Sequence, residues 1–273
     1  MRSLKNLVKS SLRFFDIGIM RQSALEELKA KAAMNAADAN VIAAGDIDLL
    51  LALPNEHAPQ LLRYLRKSRS QLRQDLFVLS QLNFKTDGFF VEFGATNGIT
   101  LSNTYLLETE FGWSGILAEP AKCWTAELCQ NLRAHIELNC VWKDSNSTLV
   151  FNEVTYAELS TVNSYSDTDS NGDIRKQGKT YSVETISLRD LLKKYDAPVD
   201  IDYLSIDTEG SEFDVLNNFP FCDYSFKVIT CEHNFTPMRE KIYALLTNNG
   251  YIRRFPELSK FDDWYVRAGW DSR

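Results

Sequence analysis

Carboxylates, a histidine and an amide follow two apolar stretches in the second half of the chain. Asp207 follows the first stretch, and Glu232, His233 and Asn234 follow the second. Side chains of these types can take a proton from a hydroxyl or hold a divalent cation such as Mg²⁺ or Mn²⁺ through oxygen ligands. The carboxyl ends of neighbouring parallel strands meet at one edge of a sheet. The pattern therefore predicts a catalytic or metal site formed by Asp207, Glu232 and His233.

A turn that contains two glycines follows an earlier apolar stretch, residues 89–93. Its residues are Gly94, Ala95, Thr96, Asn97 and Gly98. Glycine lets the backbone approach a ligand closely, and the helix expected next offers its N-terminal amides. The Gly-x-x-x-Gly spacing differs from the Gly-x-Gly-x-x-Gly of dinucleotide sites. A nucleotide-type ligand is favoured over NAD, although the turn alone is also compatible with a simple tight connection.

A second acidic strand end lies at Glu119-Pro120, after the apolar residues 115–118. An acid about 20 residues beyond such a glycine turn is typical of the neighbouring strand tip, where it accepts hydrogen bonds from ribose hydroxyls. Glu119 is therefore predicted to bind a ribose, with a surface salt bridge as the alternative.

The elements that must position these residues alternate between short apolar runs and amphipathic stretches. Strands are predicted at residues 89–93, 115–118, 136–142, 203–206 and 227–231, with two more at 251–255 and 263–267. Helices are predicted near residues 101–110, 121–134, 211–217 and 237–248. This alternation indicates an α/β fold with a mostly parallel, doubly wound sheet. Residues 1–82 are predicted to form a helical N-terminal extension and residues 83–273 the α/β domain, in which residues 160–180 form a long polar loop.

Composition narrows the classes of partner and compartment. The net charge of -7 and pI near 5.1 disfavour nucleic acid as a partner. Five cysteines without a CxxC pair and the absence of an apolar run of membrane-spanning length favour a cytoplasmic protein. Residues 1–21 are basic, which suits either peripheral contact with an anionic membrane or packing on the protein itself or on a second copy in a homo-oligomer.

Four segments in this order resemble the FkbM family of S-adenosylmethionine-dependent methyltransferases: residues 92–98, Glu119-Pro120, residues 206–212 and residues 232–234. The resemblance covers roughly residues 88–267. It implies a Rossmann-like seven-stranded methyltransferase sheet and methyl transfer to an oxygen nucleophile, often a hydroxyl of a glycan or a polyketide-type product. It also implies that the cofactor contacts Glu92, Gly94, Ala95, Asn97, Gly98, Glu119, Pro120, Trp142 and Asp207. Many relatives have Asp at the position of Glu92.

Two ways of activating the hydroxyl remain open from the sequence. Either His233 or Asp207 acts as a general base, or Asp207 and Glu232, with His233 or Asn234, hold a divalent cation that acidifies the hydroxyl. The acceptor is expected to be a small molecule or glycan that contacts residues 156–181, where tyrosines could stack on a sugar ring: Tyr156, Tyr165 and Tyr181. A non-catalytic nucleotide-binding scaffold is the alternative function.

Overall fold

The computed structural model describes residues 44–269. The chain divides into two units, Met1–Asp48 and Leu49–Arg273. The predicted basic helix of residues 1–21 lies outside the described residues. Within residues 44–269, no helix is both long and apolar enough to cross a bilayer.

Helices and short strands alternate through most of the described chain. The helices are α1 (residues 44–52), α2 (Ala58–Tyr64), α3 (Gln74–Gln81), α4 (Tyr105–Phe111), α5 (Thr125–Asn131), α6 (Gly172–Arg175), α7 (Leu188–Lys194), α8 (Glu212–Asn217) and α9 (Met238–Asn248). The strands are β1 (Phe89–Phe93), β2 (Ser114–Ala118), β3 (His135–Glu137), β4 (Cys140–Trp142), β5 (Thr148–Glu153), β6 (Thr161–Val162), β7 (Lys179–Ser187), β8 (Asp200–Ile206), β9 (Ser225–Glu232), β10 (Tyr251–Arg254) and β11 (Asp262–Arg267).

The main sheet has seven strands in the order β10-β11-β9-β8-β1-β2-β3. Strands β3, β2, β1, β8 and β9 run parallel, whereas β11 pairs antiparallel with both β9 and β10. The strand order reverses at β1. The chain continues from β1 to β2 on one side of it, and the later strand β8 lies on its other side. Such a switch point opens a crevice at the carboxyl ends of the strands. The predicted Rossmann-like seven-stranded fold is confirmed.

Strand β1 shows why this sheet is covered on both faces. Phe90 packs in the apolar layer that contains residues of α3, α4 and α5, whereas Val91 and Phe93 pack in the layer that contains residues of α7, α8 and α9. Successive side chains of a strand point to opposite faces, so a run of apolar residues is stable only between two helical layers.

A second sheet, β4-β7-β5-β6, interrupts the alternation between β3 and α7. The prediction of one strand over residues 136–142 is wrong, because β3 belongs to the main sheet and β4 pairs with β7. The break is a turn around Glu137, whose Oε1 accepts a hydrogen bond from the Asn139 amide at 3.0 Å. The predicted loop of residues 160–180 contains β6, α6 and the start of β7.

Candidate active site

A crevice opens at the carboxyl ends of β1, β2, β8 and β9, and it encloses a cavity of about 230 Å³. The predicted site residues that line it are Glu92, Gly94, Glu119, Pro120, Asp207 and Glu232. Three of the turns that follow these strands hold a non-glycine residue at positive φ: Thr96 at 49°, Glu209 at 58° and Asn234 at 44°. Strained backbone of this kind clusters at ligand sites, where the surrounding structure holds it in place.

Gly94 is required by the close approach of β1 and β8. Its φ is +73°, and a Cβ placed there would lie 1.9 Å from the carbonyl oxygen of Asp207. The absence of a side chain thus lets the glycine turn and the Asp207 backbone come together at the switch point.

Glu92 is buried and organises the loop between β1 and α4. Its Oε1 accepts from the Asn103 amide at 2.7 Å, and its Oε2 accepts from the hydroxyls of Ser102 and Thr104. Burial raises the pKa of Glu92 to about 7, although these hydrogen bonds act to lower it. Helix α4 begins at Tyr105, after the residues that Glu92 binds, rather than near residue 101 as predicted.

Glu119 lies at the tip of β2, as predicted. Its carboxylate accepts from the amides of Thr96 at 2.9 Å and Ala121 at 2.8 Å, which ties the glycine turn to the β2 end. Burial raises the pKa of Glu119 to about 7. Each carboxylate oxygen has a second lone pair, so the side chain can still accept hydrogen bonds from a ligand in the crevice.

Three carboxylates meet at the ends of β8 and β9. One oxygen from each of Asp207, Glu209 and Glu232 lies within 4.8 Å of the others. Burial raises the pKa of Asp207 to about 6 and that of Glu209 to about 9, and it raises the pKa of Glu232 well above its usual value. The repulsion between neighbouring carboxylates adds to the rise for Glu209 and Glu232. Each member of this cluster therefore releases its proton at a higher pH than an exposed carboxylate does.

Two contacts hold the cluster in place. Arg175, fully buried, contacts Glu209 Oε2 through its Nη2 at 2.7 Å and Asp169 through its Nη1 at 2.7 Å. Glu212 Oε1 accepts from the amides of Thr208 and Gly210 at 2.9 and 3.0 Å. The Glu212 carboxylate thus stabilises the loop between β8 and α8.

The structure differs from the prediction for His233. Its Nδ1 accepts from the Phe235 amide at 3.0 Å, and its Nε2 lies 3.8 Å from Asp263. His233 is not among the residues that line the described crevice. Glu209 lies beside Asp207 and Glu232 instead, where the sequence had predicted His233. The alternation of side chains explains this, because residues 232 and 233 leave β9 in opposite directions.

Four residues predicted to contact the cofactor also lie outside the lining of the described crevice: Ala95, Asn97, Gly98 and Trp142. Asn97 Oδ1 accepts from the amides of Ile99 and Thr100, so this side chain shapes the glycine turn. Trp142 stands edge-on to Tyr165 at 6.0 Å between ring centres. Cys140 and Val141 of the same strand line the crevice instead.

The tyrosines predicted to bind the acceptor divide into two kinds. Tyr165 donates to Asp214, and Tyr181 donates to Glu153 at 2.7 Å, so both hydroxyls have partners within the protein. Tyr156 is exposed, and the residues that follow it, 157–160, line the crevice.

Arg175 was not predicted as a site residue, and its only signal in the sequence is a cation within a polar, acid-containing segment.

Comparison with known proteins identifies the class of this α/β crevice. Residues 92–253 match the methyltransferase FkbM domain, which is more than half of the 273-residue chain. The chain belongs to the FkbM methyltransferase family, as the sequence resemblance predicted. A search of the curated proteins found no match.

Solved structures of other methyltransferases are similar at low identity. The precorrin-6y C5,15-methyltransferase of Geobacter metallireducens is 12% identical, with a TM-score of 0.35 over 66% of this chain and 71% of that chain. The human methyltransferase 10 domain containing protein is 10% identical, with a TM-score of 0.36 over 74% of this chain and 83% of that chain.

S-adenosylmethionine is the methyl donor of this class. The described crevice suits it, because several carboxylates and no Lys, Arg or His line the cavity. A sulfonium and an ammonium are both favoured by such surroundings.

Proposed function

We propose that this protein transfers a methyl group from S-adenosylmethionine to a hydroxyl of a saccharide or a similar hydroxylated acceptor. The observation that carries the proposal is the carboxylate cluster at the ends of β8 and β9, which lies in the same crevice as the glycine turn and Glu119. An alcohol is a very weak acid, so its methylation needs a group that takes the proton. A buried carboxylate with a raised pKa is suited to that task at neutral pH.

Asp207 is the general base in this proposal. Glu232, whose pKa burial raises well above its usual value, shares a hydrogen bond with Asp207 and so holds it in one orientation. Asp207 accepts the hydroxyl proton while the acceptor oxygen bonds to the methyl carbon. S-adenosylmethionine, when bound, would supply that methyl group, and breaking its bond to sulfur would leave neutral S-adenosylhomocysteine. Glu92, Glu119 and Glu232 are buried, so water has little access to these carboxylates.

A divalent cation is a second candidate for activating the hydroxyl. The three carboxylate oxygens of Asp207, Glu209 and Glu232 are close enough to share one ion, and oxygen ligands suit Mg²⁺ or Mn²⁺. A cation there would displace the protons that the cluster otherwise binds.

The experiment is methyl transfer from labelled S-adenosylmethionine to a panel of oligosaccharides and nucleotide sugars. Replacing Asp207 by Asn keeps the shape of the side chain but removes the base, and we expect kcat to fall by about 10²- to 10⁴-fold. Asp173→Asn is the matched control, because Asp173 is an exposed acid of the same chain that contacts Lys176. Treatment with EDTA followed by dialysis leaves turnover unchanged if Asp207 acts alone and abolishes it if a cation is required.

Two results would contradict the proposal. The first is normal turnover of Asp207→Asn with an acceptor that the native protein methylates. The second is methylation of a nitrogen or carbon atom, located by mass spectrometry of the product. A protein that binds S-adenosylmethionine but methylates none of the acceptors would instead support the scaffold alternative.

A further inference from the structure

A strongly basic segment lies in a chain that is acidic overall. Residues 63–73, here called the basic segment, carry the cations Arg63, Arg66, Lys67, Arg69 and Arg73 and no acid, while the whole chain has a net charge of -7. All but Arg73 are exposed. The segment covers the end of α2 and the turn that leads into α3.

Hydrogen bonds hold the second half of this segment in one conformation. The Ser68 hydroxyl donates to the buried Asp75 at 2.7 Å, and the Leu72 amide donates to Gln74 at 3.0 Å. Arg73 has a φ of 64° and immediately precedes α3. The cations before it are therefore presented on an ordered turn.

This turn lies against the mouth of the crevice. The Ser70 hydroxyl donates to the carbonyl of Ser102 at 3.3 Å, which joins the turn to the loop that Glu92 organises. Gln71 and Leu101 both line the crevice. The guanidinium of Arg69 lies 5.9 Å from the centre of the Tyr105 ring, at the start of α4. Arg69 is thus two residues from Gln71 and is placed beside the same opening.

The exposed arginines of the segment remain available to a ligand. Lys67 contacts Glu110 at 2.7 Å. Among residues 44–269, no acid forms an ion pair with Arg63, Arg66 or Arg69. Several cations placed close together without counter-charges repel one another, and an anionic ligand relieves this repulsion.

The interior of the crevice and its mouth therefore attract opposite charges. The interior is lined by carboxylates, including Glu92, Glu119 and Asp207, and repels a phosphate. The mouth carries the basic segment, whose guanidinium groups match the geometry of phosphate oxygens. An acceptor that bears phosphate at one end and hydroxyls at the other would enter in one orientation.

We propose that the basic segment binds the phosphate or diphosphate of the acceptor through Arg66 and Arg69, while a sugar hydroxyl of the same molecule reaches Asp207. This inference rests on the proposed function and narrows its substrate class to phosphorylated saccharides, whether the phosphate links the sugar to a nucleoside or to a lipid. The acidic net charge and the short length of the segment favour such an acceptor over nucleic acid.

The test uses inorganic pyrophosphate as the probe in calorimetric titrations of the full chain saturated with S-adenosylhomocysteine. The double variant Arg66→Ala/Arg69→Ala should weaken pyrophosphate binding at least tenfold, because two exposed charge-assisted contacts are lost. The control Arg189→Ala/Lys193→Ala removes two exposed cations at α7 and should leave binding within about twofold of the native value. Neither pair lines the crevice, so the affinity for S-adenosylhomocysteine should be unchanged in both.

Equal pyrophosphate affinity in the native protein and the double variant, or absence of binding, would overturn the inference. Titration with UDP-glucose and with phosphatidylcholine vesicles that contain phosphatidic acid then distinguishes the two sources of phosphate by their dependence on Arg66 and Arg69. A short RNA that binds these arginines more tightly than either probe would also overturn it. Methylation of neutral oligosaccharides with no preference for phosphorylated ones would remove this inference and leave the proposed function intact, whereas failure to bind S-adenosylhomocysteine would remove the proposed function.

Discussion

Replacing Gly94 by Ala tests the close approach of β1 and β8. Comparison with Gly250→Ala separates the effect of that approach from the effect of backbone conformation. The new Cβ would lie 1.9 Å from the Asp207 carbonyl oxygen, so the strand ends must part by about 1.4 Å to reach a roughly 3.3 Å contact. Overpacking of this kind destabilises by about 1–3 kcal/mol. Alanine at a positive φ adds about 1–2 kcal/mol. We expect the free energy of unfolding to fall by about 2–5 kcal/mol.

Gly250→Ala is the matched control for this prediction. Gly250 has a φ of +84°, and a Cβ placed there would meet open space out to 4 Å, so this variant reports the conformational penalty alone. Urea unfolding of both variants gives the difference, which we expect to be about 1–3 kcal/mol. Calorimetry should also show at least tenfold weaker binding of S-adenosylhomocysteine by Gly94→Ala and native binding by Gly250→Ala. Equal destabilisation and equal affinity of the two variants would refute the role assigned to the β1–β8 approach.

Two further predictions concern charge. Arg175→Ala should lower the free energy of unfolding by about 3–5 kcal/mol, because Asp169 and Glu209 lose their buried partner; Lys176→Ala, which removes an exposed pair with Asp173, should leave it unchanged in the same urea titration. After treatment with EDTA and dialysis, kcat should fall about tenfold for each pH unit below about 6. Burial raises the pKa of Asp207 to about 6, and only the ionised carboxylate accepts a proton. A rate profile that stays flat down to pH 4.5 would contradict that assignment.

The sequence carried most of the information about the main sheet. Strand β1 was predicted with its observed bounds, Phe89–Phe93, because an uninterrupted apolar run before a glycine turn has few other structures available. The second sheet was missed. Its strand β7 alternates polar and apolar residues, and Val183 is one of its buried members, but this signal lies among polar residues that also resemble a loop.

The site was predicted in position but not in every side chain. Asp207 and Glu232 meet because parallel strand ends share an edge, which the order of elements already implies. His233 faces away from the crevice because adjacent residues at a strand end point to opposite sides, whereas Trp142 stands edge-on to Tyr165. Arg175 reaches Glu209 across 34 positions of sequence, and no local pattern predicts a contact between a short helix and a turn so far along the chain.

Calorimetric titration of the native protein with S-adenosylmethionine and with S-adenosylhomocysteine tests the account most directly. The structure predicts that both bind with a stoichiometry of one, and that Glu119→Ala weakens both at least tenfold because the β2 tip loses its hydrogen-bond acceptor. Absence of heat with either compound, or an affinity unaffected by Glu119→Ala, would contradict the claim that these strand ends form the methyl-donor site.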